Sequence, residues 1–100
     1  MNATASLQTI DVKTWMGTDI LGSRGLGRQA RTFLMERINK TEPVILDFRN
    51  VEVMTSAFAD ECFGKLWDQF GPELIKETIH IIGLSGNNKA IFRFVLANRR

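Results

Sequence analysis

The stretch Val44-Ile45-Leu46-Asp47-Phe48-Arg49-Asn50-Val51-Glu52-Val53-Met54-Thr55-Ser56-Ala57-Phe58-Ala59-Asp60-Glu61 decides the fold. It opens on three consecutive aliphatic residues behind Thr41 and Pro43, which close a preceding helix. A short apolar run in that position reads as a strand buried on both faces, as in parallel sheets. The run stops at Asp47-Phe48, and Val51, Val53 and Met54 carry the apolar pattern into a loop. Hydroxyls then stand at Thr55 and Ser56, where a second helix begins and runs to Phe70. Its apolar residues Ala59, Cys62, Phe63, Leu66 and Phe70 share one face at helical spacing. Asp60 and Glu61 occupy its first turn, where the helix dipole favours negative charge. Gly71-Pro72 ends it.

Upstream, Leu26, Ala30, Phe33, Leu34, Arg37 and Ile38 recur at helical spacing and predict a first helix from Arg24 to about Asn39. Ser23 is its N-cap, and Gly25 and Gly27 weaken the first turn. Leu7 to Val12 predicts an edge strand. Lys13 to Gly22 forms a loop, or a second short strand around Thr18–Leu21. Downstream, Thr78 to Leu84 reads as another buried strand. Asn87 or Asn88 caps a last helix to about Asn98, with Ala90, Ile91, Phe94 and Val95 as its core face. Phe92 and Leu96 fall on another side, so this helix is apolar around more of its circumference than one core requires. Strand and helix in alternation predict a single-domain α/β layer fold over residues 1–100, with an ordered core of about 7–98. The expected sheet is small and mostly parallel or mixed, and the main helices number three.

Composition bounds the function. In 100 residues, 44% are hydrophobic and 24% charged, which excludes disorder as the main description. The single cysteine, Cys62, excludes an internal disulfide and a cysteine-based zinc site, and fits a reducing compartment. No apolar run approaches the length of a membrane span. Met1–Ser6 carries neither a basic patch nor an apolar stretch behind it, so no signal peptide is expected and the expected location is cytoplasmic. A net charge of +2 is too mild to announce a nucleic-acid binder.

Four constellations remain. Thr55 and Ser56 stand at a helix start, where free N–H groups and partial positive charge receive anions; the simpler account is an ordinary N-cap. Arg24, Arg28 and Arg31 form a basic stripe suited to phosphate, to an acidic partner, or simply to solvent. Gly22-Ser23-Arg24-Gly25-Leu26-Gly27 lacks both the dinucleotide-binding spacing and a Walker lysine, and reads as turn chemistry. His80, the sole histidine, has no second imidazole or cysteine with which to hold a metal, so none is expected. Spacing recommends no Ser-His-Asp arrangement. Trp67 with Phe92 and Leu96 forms either an exposed patch for a partner or second copy, or a surface covered by the N-terminal segment.

Leu46-Asp47-Phe48-x-x-Val51-x-x-Met54-Thr55-Ser56-Ala57-Phe58 resembles the signature of STAS domains, the fold of bacterial anti-sigma-factor antagonists and sulfate-transporter tails. The chain is more similar to a STAS-like family of small bacterial and phage proteins. That family favours a Gly-Ser-Arg stretch before its first helix, here Gly22-Ser23-Arg24, and a Ser-Phe-Ala-Asp-Glu stretch, approximated by Ser56-Ala57-Phe58-Ala59-Asp60-Glu61. The resemblance spans about Asp19 to Arg99. It implies a non-catalytic, cofactor-free interaction module whose partner is a protein such as a kinase-type ATPase regulator. It places the phosphoacceptor of the antagonists on Ser56, with Thr55 second. The motif's aspartate, second serine and glycine are Thr55, Ala57 and Phe58 here, and docking survives those departures better than phosphorylation does. The expected contact surface is Met54, Ala57, Phe58, Asp60 and Glu61, shaped by Asp47 and Arg24. The alternative is nucleic-acid or nucleotide-phosphate binding through Arg24, Arg28 and Arg31. The breadth of the last helix's apolar surface suggests a homodimer.

Overall fold

The computed structural model describes residues 7–99; Met1–Ser6 and Arg100, and the expectation placed on that N-terminal stretch, lie outside them. Three parallel strands form the main sheet in the order β1 (Gln8–Asp11), β3 (Val44–Asp47), β5 (Ile79–Ile82). The register sets Ile10 beside Leu46 and Leu46 beside Ile81, and it aligns Asp11, Asp47 and Ile82 at the carboxyl ends. A second parallel pair joins β2 (Ile20–Leu21) to β4 (Val53–Met54). Six helical segments connect them: α1 (Val12–Met16), α2 (Arg24–Lys40), α3 (Ser56–Ala59), α4 (Lys65–Phe70), α5 (Pro72–Thr78) and α6 (Gly86–Ala97). This is the α/β single domain expected, with a small parallel sheet.

The central strand β3 is as buried as its composition demands, with Val44 and Leu46 fully enclosed. Each such side chain contributes roughly 1.5–3 kcal/mol of burial. α2 buries Gly27, Ala30, Leu34 and Ile38, spaced three and four apart. Ser23 caps it as expected, its Oγ accepting from the Leu26 N–H, and the two early glycines do not delay its start. Arg37, the charge on the apolar face, lays its guanidinium 4.9 Å from the Phe33 ring centroid and pairs with Glu42. Thr41 ends the helix in the left-handed conformation, at φ 55°.

Six local expectations are corrected. Val12, expected to end the edge strand, and Lys13–Met16, expected in a loop, form a helical turn ended by Gly17 at φ 76°. Trp15 from that turn packs at a tilt against Phe33, with ring centroids 5.0 Å apart. Val53 and Met54 pair with β2 as a strand, not a loop. After Gly71, with φ 85°, Pro72 begins a further helix at its first position, where its missing N–H costs nothing. β5 is an edge strand with His80 and Ile82 exposed, not a doubly buried one. Ser85, not Asn87 or Asn88, caps α6, accepting from the Asn88 N–H. The core face of α6 is therefore rotated from the one expected: Asn88 and Val95 are buried, whereas Phe94 is 64% exposed. No helix among the described residues is long and apolar enough to cross a membrane.

Candidate functional site

The helix expected over Ser56–Phe70 is one continuous rod with a π-helical insert at Asp60–Gly64 between α3 and α4. The insert buries Glu61, Cys62, Phe63 and Gly64 in succession. A straight α-helix turns about 100° per residue and cannot hold four neighbours against one face. The wider turn brings Glu61 under α2. There the carboxylate meets Arg31 at 3.0 Å, Arg24 at 3.2 Å and Lys65 at 3.3 Å. Arg31 also donates to the Glu61 carbonyl at 2.6 Å. Asp60 pairs with Arg24 at 3.0 Å and with Arg99. Two of the three stripe arginines are thus engaged by carboxylates within the fold. Arg24 and Arg31 meet carboxylates, Arg31 half-buried and Arg24 still largely exposed, while Arg28 is exposed with no carboxylate among the described ion pairs. Any phosphate at the stripe would compete with Asp60 and Glu61 for Arg24 and Arg31.

Hydrogen bonding from Arg31, against the opposing cost of burial, and further bonds from Lys65 and Arg24 hold the Glu61 carboxyl down to about 2, from an ordinary 4.5. Such a group stabilises the fold fully above its unfolded value and loses that contribution as pH falls from about 4.5 through about 2. Wild-type protein should therefore show a falling Tm across that window. Glu61→Gln should melt lower at neutral pH, because Arg31, Arg24 and Lys65 lose the negative charge they share, but should fall less steeply in acid. Asp47 and Asp11 are also held below the carboxylate range, by Arg49 and by Thr14 and Asn50 respectively. They steepen both curves equally, so parallel acid limbs in a thermal-melt series would exclude Glu61 as the source.

The start of α3 is built by three tethers. Thr55 caps it, accepting from the Phe58 N–H at 3.2 Å, and donates to the Leu21 carbonyl at 3.3 Å. The Thr55 N–H reaches the same carbonyl at 3.0 Å, which ties the helix to β2. Behind it, the buried amide of Asn88 accepts from the Met54 N–H at 3.0 Å and donates to the Val51 and Glu52 carbonyls at 3.3 Å. An asparagine in the first turn of α6 thus fixes the loop before α3, a role its place in the sequence did not signal.

The expected contact residues separate into two sets. Met54 and Phe58 are 2% and 1% exposed and belong to the core, so neither offers a surface to a partner. Glu61 is likewise enclosed by its cations. Ser56 is exposed, and Ala57 and Asp60 are half-buried around it. Thr55 takes the cap, leaving the Ser56 hydroxyl outside that role. Asp47 is turned to the loop after β3, where the Arg49 guanidinium bonds both carboxylate oxygens at 2.6–3.1 Å. Gly83, at φ 78°, lets β5 end against that pair: a Cβ there would lie 2.8 Å from Asp47 Oδ1.

Two surface residues missing from the expectation complete the picture. Ile20 and Val53 stand opposite each other in the β2–β4 pair, and both are exposed. A Cβ built on Gly22 would meet Ile20 Cγ2 at 3.7 Å and Thr55 Cγ2 at 4.0 Å, which places this apolar pair beside the helix start. Alternation along two-residue strands is too short a signal to expose it in sequence. Elsewhere, His80 is solvent-facing and Cys62 is fully buried, its thiol pushed up by burial. Among the described residues no cluster could hold a metal.

A family model described as a STAS-like domain of unknown function (DUF4325) matches residues 30–89, from the middle of α2 to the first turn of α6. No curated protein and no solved structure matches the chain.

Proposed function

The chain belongs to this family of STAS-like domains, and from that premise we propose that it is a non-catalytic, cytoplasmic regulatory module that docks a protein partner around the start of α3. The observation that carries the reading is the juxtaposition of Ile20 and Val53, an exposed apolar pair, with the exposed Ser56. An apolar pair rimmed by hydroxyl and charged groups is the composition of a small docking surface. Asp60 and its partner Arg24 form the charged rim.

Ser56 is the phosphoacceptor on this reading, with Thr55 committed to its cap. The partner, by resemblance, is a kinase-type ATPase regulator. A phosphate on Ser56 adds about two negative charges one turn from Asp60, and repulsion there would release the partner. The test is capture from host lysate at physiological salt, with wild type and Ser56→Asp as bait and both protein and nucleic acid analysed. We expect a protein partner on wild type and its loss from Ser56→Asp, with bait Tm unchanged because an exposed substitution shifts stability by only about 0.5 kcal/mol. Capture dominated by nucleic acid and indifferent to Ser56→Asp would overturn the reading.

A further inference from the structure

The second notable surface lies away from the helix start. Phe63 and Trp67 of the composite helix, Ile75 and Lys76 of α5, Ile79 and Ile81 of β5, and Phe92 and Leu96 of α6 line a half-open cavity of about 240 Å³. The sequence placed Trp67, Phe92 and Leu96 together as a patch; the structure makes them walls of a concave site. Its floor is buried: Phe63 is 4% exposed and Ile79 6%, and Phe63 packs edge-on to Phe92 at 5.3 Å. Lys76 is the one charged side chain in the lining. Its Nζ stands 5.9 Å from the Trp67 ring centroid, at the outer limit of cation–π reach. Among the described residues the ion pairs do not include Lys76.

From this geometry we propose that the cavity binds a free medium-chain monocarboxylate, its acyl chain on the aromatic floor and its carboxylate at Lys76. Volume, lining and charge each bear on that choice. An apolar cavity of about 150 Å³ holds a benzene-sized molecule, so this one takes an acyl chain of about eight carbons. The apolar lining excludes a strongly polar ligand, because its polar groups would lose water without gaining partners. The exposed ammonium at the mouth selects an anionic end over a cationic one. A second protein copy suits the site less well. The exposed large hydrophobic residues Leu7, Ile20, Val53, Ile82 and Phe94 do not line it, so it lacks the apolar rim that a flat interface would use.

The probes are octanoate, octan-1-ol and octylammonium, titrated into the full chain and followed by the Trp67 indole N–H resonance. The Trp15 indole, packed on Phe33, serves as the internal control. Octanoate should saturate with a Kd on the order of 1 mM, as expected for about ten heavy atoms. Octanol should bind about three- to fivefold more weakly, the worth of one exposed ion pair, and octylammonium more weakly still. Lys76→Met, an exposed change that spares the fold, should make octanoate no better than octanol while leaving octanol binding intact. Leu96→Trp should abolish all three by filling the cavity, with a thermal melt confirming that the variant is folded. Three results would overturn the proposal: no saturable shift with any probe, equal binding of octanoate and octanol by wild type, or concentration-dependent broadening of Trp67 without ligand, which would mean that a second copy occupies the site.

Discussion

Gly27→Val should lower the melting temperature by about 10–20 °C, whereas Gly25→Ala, two residues earlier in the same turn, should leave it unchanged or raise it. A Cβ at Gly27 would stand 2.9 Å from the Phe58 carbonyl oxygen and 2.9 Å from Glu61 Cβ. The first neighbour is backbone and cannot rotate away, so α2 must lift from α3 and the π insert. Overpacking of this kind costs about 1–3 kcal/mol, and valine's further methyls put it at the upper end. For a domain of this size each kcal/mol moves Tm by about 4–8 °C. At Gly25 a Cβ meets only Ser23 Oγ, at 3.8 Å, an ordinary contact. There the substitution relieves glycine's backbone entropy and can add up to about 1 kcal/mol. The displacement at Gly27 also pulls Arg24 and Arg31 from Glu61, so the two glycines differ in more than sterics. Equal Tm values for the two variants would refute the close helix–helix approach.

Phe58→Ala should cost about 3–5 kcal/mol, measured as a lowered urea midpoint with an unchanged slope. The ring is 1% exposed and packs edge-on to Phe63 at 6.4 Å. Against a total stability of about 5–15 kcal/mol, that loss removes at least about a fifth of the margin. Ser56→Ala, two residues away on the exposed side, should stay within about 0.5 kcal/mol of wild type. The contrast separates the two halves of the motif. Residues expected from the sequence to form one contact surface divide into a core half that folds the helix start and a solvent half that is free to meet a partner. A Phe58→Ala chain as stable as wild type would contradict that division.

The limits of sequence reading are visible at α6 and at Asn88. The period of α6 was legible, but its phase was not. Phe94 is as apolar as Phe92, and nothing local says which of them faces the core. Phase is set by contact with the composite helix and β4, where Asn88 satisfies three backbone groups of the chain from Val51 to Met54. The short helix over Pro72–Thr78 escaped notice because only Leu74 and Ile75 are large apolar residues in it.

By itself, the sequence determined the alternation of strands and helices, the burial of β3, the cap at Ser23 and the family resemblance. Each of these rests on local propensity or on a period repeated over several residues. Only the tertiary structure decided that Met54 and Phe58 are core while Ser56 is surface, that the arginine stripe faces Asp60 and Glu61, and that Trp67, Phe92 and Leu96 line a half-open cavity. Those outcomes depend on which residues meet across gaps of about twenty-five or more positions, as Arg31 and Glu61 do. A charge or a ring carries no local mark of the partner it will find there.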